Sequence, residues 1–321
     1  MLLNILKQKF LSVLKPLLII PYLFILTGCD SSEDVNVTEV SVSERLSDAE
    51  LHGFEHHFDE SKSGYIHFGF DLRSSPQEDI AQYVPLMNYL ARSTGYQFKL
   101  EVTPKNSSII SELKEGHIHL AAMGAVNDIR SEEAGIGATL VQGLNKQNKA
   151  SYQSMFIVKS GSSVYTIADI KNKKMAFGDR SSTQGHLIPR IILEKNHIKL
   201  SDFMTYDYLG SHQLCAEAVV SGKFDVCALQ DRLAKDLAKR GLVRIIHASE
   251  YYPSSGIVVS TALNKDVALK IKQALLDFKP HGEHKAGLYN WHMTEMPNGF
   301  VAANESTYKE LRDWLVKLNL L

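Results

Sequence analysis

The segment Phe177-Gly178-Asp179-Arg180-Ser181-Ser182-Thr183-Gln184-Gly185-His186-Leu187-Ile188-Pro189-Arg190 decides how the rest of the chain is read. The apolar run 174–177 before it predicts a short buried strand, and Leu187 to Glu194 predicts a helix. Gly178 and Asp179 suit the turn between them. Ser181, Ser182 and Thr183 then stand at the helix entrance, where hydroxyls accept from the first-turn N–H groups. Those N–H groups, with the helix dipole, also make an anion site. Two readings stay open: a hydroxyl-capped helix, or a cradle for a tetrahedral oxyanion held by neutral donors, since the segment holds no arginine cluster. The Gly-Lys-Ser/Thr ending of a nucleotide phosphate loop is missing.

Working outward, the N-terminus carries Lys7, Lys9 and Lys15, then an apolar stretch from Pro16 to Leu26, then Leu26-Thr27-Gly28-Cys29. A basic region, a short apolar core and small residues predict a secretory leader over 1–28. Leu-Thr-Gly-Cys resembles the bacterial lipobox, which implies cleavage before Cys29 and lipidation of its thiol. Asp30 resembles the residue that retains such lipoproteins at the Gram-negative inner membrane. Without the leader, three of 35 basic residues go and all 36 acidic ones stay, so 32 stand against 36 and the net charge is −4. A mildly acidic surface gives no support for nucleic-acid binding. Residues 29–63 are polar, acidic and poor in aromatics, as in a flexible tether. His52 and His56, four apart with His57 beside them, could face one side of a helix, yet no closed ligand set surrounds them and no metal is assigned. Cys215 and Cys227 remain, either as a disulfide permitted outside the cytoplasm or as two buried thiols.

From Gly64 onward the chain alternates. Strands are predicted at 65–70, 96–102 and 118–123, with helices at 80–94 and 109–114 between them. Further strands fall at 152–159, 174–177, 207–209, 224–229, 243–246 and 257–260. Helices fall at 167–171, from His212 to Val220, at 231–239, and near 265–278 and 306–319. Strand–helix alternation at this spacing argues for α/β units with mostly parallel sheets and helices on both faces. Ligands of such folds lie at the C-terminal ends of the strands.

Several of these stretches together resemble the PhnD-like periplasmic solute-binding proteins of phosphonate, phosphite and phosphate ABC importers. The opening segment is similar to their anion-binding signature, Gly210-Ser211-His212 to their second-lobe loop, and Pro85-Leu86-Met87-Asn88-Tyr89-Leu90 with Thr94-Gly95 to their first helix. Tyr152-Gln153-Ser154 matches the crossover strand and Gly299-Phe300-Val301 the C-terminal segment. The resemblance implies a two-lobed type II periplasmic-binding fold. Lobe 1 takes 64–152 plus 254–321, lobe 2 takes 153–253, and hinge crossings lie near 150–158 and 248–257. It implies that Ser181, Ser182, Thr183 and Gln184 meet the ligand with Tyr152 and His212. There are departures. Asn106 stands where the family usually places a tyrosine before the second helix, and Gly124-Ala125-Val126-Asn127-Asp128 replaces Gly-Pro-x-Ser-Tyr. Asn106 and Asp128 therefore become candidate ligand contacts. The acids that hold an amino group are replaced by Arg232 and Ser255, with Asp231 adjacent as a candidate.

The expectation is a lipid-anchored, monomeric solute-binding protein on the periplasmic face of the inner membrane, delivering a small oxyanion to an ABC permease and ATPase. The alternative is a binding protein that presents the anion to a membrane sensor kinase. No Gly-x-Ser-x-Gly elbow or His-Glu-x-x-His is present, and neither catalysis nor a cofactor is expected.

Overall fold

A computed structural model describes residues 64–321. The leader, Cys29, Asp30 and the tether with its histidines lie outside the described residues.

Two mixed sheets organise the chain. The first has six strands in the order β13-β4-β12-β3-β1-β2: β1 is Tyr65–Phe70, β2 Gln97–Glu101, β3 Leu120–Met123, β4 Gly137–Gly143, β12 Gly256–Ser260 and β13 Phe300–Ala302. The second has five in the order β10-β6-β9-β7-β8: β6 is Ser154–Lys159, β7 Lys174–Phe177, β8 Thr205–Tyr208, β9 Val226–Gln230 and β10 Val243–Ala248. β1 runs parallel to β2 and β3, and β7 parallel to β8 and β9. The remaining pairings in both sheets are antiparallel, so the sheets are mixed rather than mostly parallel. The reason is the passage of the chain between them. β6 enters the second sheet, and β12 returns to the first, running against their neighbours. Beside these passages the short strands β5 (Ser151–Tyr152) and β11 (Tyr252–Pro253) pair with each other.

Helices cover both faces. α1 (Pro76–Thr94) starts at Ser75, whose hydroxyl accepts from the Glu78 amide, and ends at Gly95 in the left-handed region. Its buried side, including Tyr83, Leu86 and Leu90, packs with Phe68, Phe70 and α7 (Lys265–Leu276). α2 (Ile109–Glu115) covers the other face of β3 through Ile109 and Leu113. On the second sheet, α5 (His212–Val220) and α6 (Asp231–Lys239) lie on one face, and α4 (Ile188–Lys195) on the other. Cys215 of α5 is disulfide-bonded to Cys227 of β9.

Sequence patterning missed one helix, α3 (Ala125–Glu133), together with β4 after it. α3 carries Asn127, Asp128 and Arg130 early, which blurs its apolar period, while Ala125, Val126 and Ile129 are buried. Those three join the cluster that holds Phe156, Phe177 and Ile188 under the second sheet. The last helix, α8 (Lys309–Lys317), expected with the first lobe, puts Leu311 and Leu315 into that same cluster. The stretch expected to be a helix at 167–171 is a single 3₁₀ turn over Ile167–Ile170.

Candidate functional site

The turn after β1 brings two charged residues to the strand's C-terminal end. Asp79 in the first turn of α1 accepts from the amides of Arg73 (2.9 Å) and Ser74 (3.2 Å), which fixes that turn. Arg73 then lies across the cleft floor with its side chain 13% exposed. It donates to Glu295, which also accepts from Ser255, and its second terminal nitrogen reaches Ser255 Oγ at 3.3 Å. Glu295 is 6% exposed. Burial acts against the Arg73 charge, yet Glu295, first among the neighbours that favour it, holds its pKa above the usual range. Arg73 Nε has no partner. Two residues earlier, Asp71 accepts from the Gly124 amide at 2.8 Å and from Asn127 Nδ2 at 2.9 Å. Gly124 is the N-cap of α3 and offers no side chain, so Asp71 fills the place of a capping residue. Burial pushes the Asp71 carboxyl up, with Arg73 opposing.

The opposing wall is the opening segment of the sequence. After β7 the chain makes a π-helical turn, Thr183–Leu187, before α4 begins. Pro189 explains part of this. It has no N–H to give the carbonyl four residues back, Gly185, and that carbonyl accepts instead from the Gly178 amide at 2.9 Å. A Cβ on Gly185 would lie 3.1 Å from both Gly178 Cα and His212 Cε1, so this close approach requires glycine. Ser182 Oγ accepts from the Gly185 amide at 2.9 Å, Ser181 donates to Asp179, and Thr183 Oγ1 accepts from the Val126 amide of α3 at 2.9 Å. Gln184 Nε2 donates to the Gln153 carbonyl at 2.9 Å, and its own carbonyl accepts from Ser154.

Two histidines support this wall and both are neutral. His186 Nδ1 donates to the Arg180 carbonyl (2.7 Å). That leaves Nε2 to accept from Tyr208 Oη (3.1 Å), and burial pushes its pKa down to about 4. His212 opens α5 behind its Ser211 cap. Burial first, then Arg73 and Arg232, push its pKa down to about 3, and its Nδ1 has no partner.

Between the walls is a cavity of about 770 Å³ lined by Asp71, Arg73, Asn127, Tyr152, residues 179–184 and His212, among others. A second cavity, about 300 Å³, adjoins it and holds Asp231, Arg232 and Glu295. Tyr152 and Gln184 line both. Tyr152 Oη is buried close to Thr183 and the Ala125 backbone, and burial raises its pKa.

The fold thus brings together Ser181, Ser182, Thr183, Gln184, Tyr152 and His212. Asp231 lies in the second cavity, paired with Lys235 at 2.6 Å. Asn106 is exposed at the rim, where Lys105, Ser107 and Ser108 line the cavity and it does not. Asp128 is turned away from the ligand space: fully buried, it accepts from Thr139 at 2.6 Å beside Tyr308. An acid facing a bound anion would be repelled, and here the helix directs Asp128 outward while Asn127 and the Gly124 amide face the cleft. The neutral-donor expectation also needs correction, because Arg73 lies in the wall. Its position after the end of β1 was a usable signal; Glu295 sits in an irregular segment that offered none.

A family model described as ABC transporter, phosphonate, periplasmic substrate-binding protein matches residues 68–308. This chain belongs to that family. A phosphonate-family periplasmic substrate-binding protein is a component of a transporter, not an enzyme. Among curated relatives of this phosphonate-family protein is the probable ABC transporter phosphite binding protein PhnD1 of Prochlorococcus marinus (strain MIT 9301). It is 23% identical over 173 residues, or 51% of this chain and 52% of the relative, so the match spans about half of that protein's length. The solved structure of the same organism's PhnD1 with methylphosphonate superposes with a TM-score of 0.73 at 16% identity, covering 80% of this chain and 99% of that one. A binding protein component of an ABC phosphonate transporter from Pseudomonas aeruginosa gives 0.71 at 21% identity, covering 81% and 88%. The alkanesulfonate-binding protein SsuA of Xanthomonas axonopodis pv. citri, bound to MOPS, gives 0.57 at 18% identity, covering 81% and 95%. At these identities the structural likeness establishes the shared type II periplasmic-binding fold.

Proposed function

We propose that this phosphonate-family protein captures a small oxyanion of the phosphonate, phosphite or phosphate type in the cleft between its two sheets. It is held to the inner membrane by a lipid on Cys29 and passes the anion to an ABC permease and its ATPase. The observation that carries this reading is that Arg73, His212 and Tyr152, three buried polar side chains, line one cavity, with Arg73 Nε and His212 Nδ1 lacking a hydrogen-bond partner. Buried polar groups are normally hydrogen-bonded, and unsatisfied nitrogens on two residues that line one space are accounted for by an acceptor with several oxygens. A tetrahedral oxyanion offers three or four oxygens to a guanidinium, a phenol and an imidazole N–H. The α3 N-terminus adds its dipole on the same side.

The test is a thermal-shift screen of purified protein against phosphate, phosphite, methylphosphonate, aminoethylphosphonate, sulfonates and carboxylates. A true ligand at 100 times its Kd should add about 2.7 kcal/mol of stability. A protein stabilised by carboxylates or sulfonates, and by no phosphorus oxyanion, would overturn the reading. Anchoring is tested apart, since Cys29→Ala should leave the membrane fraction or accumulate as the uncut precursor.

A further inference from the structure

The second cavity shares Tyr152 and Gln184 with the first and carries a charge arrangement of its own. Arg232, the second residue of α6, lines it. Its Nε is buried without a partner, and its Nη1 meets only the sulfur of Met293, at 2.8 Å. Thioether sulfur is a weak acceptor, so this does not satisfy a guanidinium. Asp231 next to it is taken by Lys235. Glu295, the acid that most favours the Arg232 charge, is already bonded to Arg73 and Ser255. Two guanidiniums therefore share one carboxylate. Burial and Arg73 both disfavour the Arg232 charge.

We propose that this second cavity is a subsite for the far end of the same ligand, and that it selects a negatively charged tail through Arg232. The ligand class is then an oxyanion bearing a second acidic group, such as a phosphonate with a carboxylate at the end of a short carbon chain. This rests on the cleft reading above. The cavities meet at Tyr152 and Gln184, so one short molecule passing those side chains can occupy both. A carboxylate there takes two parallel hydrogen bonds from a guanidinium. Lys146 and Lys239 on the lining add positive charge, and Asp236, also on it, is paired with Arg240. An ammonium tail meets the Arg232 charge instead and is repelled.

Calorimetric titration with three ligands tests this: methylphosphonate, 3-phosphonopropionate and 2-aminoethylphosphonate. We expect the carboxylate-bearing ligand to bind at least tenfold tighter than methylphosphonate, and the amino-bearing one to bind weaker. Arg232→Gln should cost the carboxylate ligand at least tenfold more affinity than it costs methylphosphonate. Arg232→Met, of similar length, should repeat the result and guards against a folding defect specific to one variant. Equal wild-type affinities for methylphosphonate and the carboxylate ligand overturn the subsite while leaving the cleft reading intact, as does an equal loss for both ligands in the variants. Tighter binding of the amino-bearing ligand overturns it too. No binding of any of the three overturns the cleft reading, and this inference falls with it.

Discussion

Thr183 Oγ1 accepts a hydrogen bond from the Val126 amide at 2.9 Å, joining the signature turn of one sheet to the first turn of the helix that follows the other. The neighbouring hydroxyl, Ser182, is turned inward on the Gly185 amide. Adjacent residues of one motif thus do different jobs, one across the cleft and one within its own turn.

Their substitutions should separate accordingly. Ser182→Ala removes a cap and should lower the stability of the ligand-free protein by about 1 kcal/mol. Thr183→Ala removes a bond that ties the signature turn to α3 beside the cavity, worth roughly 0.5–1.5 kcal/mol. That should weaken ligand binding by about two- to tenfold with a smaller effect on melting. Melting curves and titration of both variants check this; identical profiles would refute the division.

Arg73 and Glu295 form a buried pair, and breaking one side of such a pair costs about 3–5 kcal/mol because the other charge is stranded. Arg73→Met should be strongly destabilised, and Arg73→Met with Glu295→Met should recover most of the loss. Ligand affinity should stay low in both, since the recovered pair has no guanidinium. Chemical denaturation beside titration distinguishes the two roles. Recovered affinity in the double variant would remove Arg73 from the site.

Asp128 makes stability depend on pH. Burial, with Glu132 adding and Thr139 opposing, raises its pKa to about 7 from an ordinary 3.8. A raised carboxyl contributes stability that is complete below the unfolded value and lost as pH rises through the folded one. The contribution therefore fades between about pH 4 and pH 7. Asp128→Asn lacks that loss and should exceed wild type by roughly 3–5 kcal/mol at pH 8, with no advantage at pH 4. Equal differences at both pH values would show that the carboxyl titrates normally.

The Cys215–Cys227 bond closes a short loop, with a sequence separation of 12. In the chain-entropy account such a loop is worth about 3 kcal/mol. Reduction, or Cys215→Ala with Cys227→Ala, should lower the denaturation free energy by that order and leave ligand affinity within about twofold of wild type, since neither cysteine lines either of the two cavities described above. A collapse of binding in the folded, reduced protein would show that the bond sets the position of His212.

The alternation of strands and helices was legible because each element carries one apolar face of the right period. α3 was not, because polar side chains reach the cleft from its first turn and break that period. The signature was legible as a motif but not in its bonding. Composition says that Ser182 and Thr183 can cap or bind, whereas the partner of Thr183 comes from a segment 57 positions away. Arg73, Glu295 and Ser255 meet only through the return of β12 and the irregular chain before β13, a convergence that no local pattern encodes.

The Arg73–Glu295 pair has one more consequence. An incoming oxyanion that takes the unpartnered Arg73 Nε leaves the Glu295 bond in place. In the proposed site Glu295 would then hold the guanidinium in position for its ligand, as a built-in counterion that keeps the cation oriented before any solute arrives.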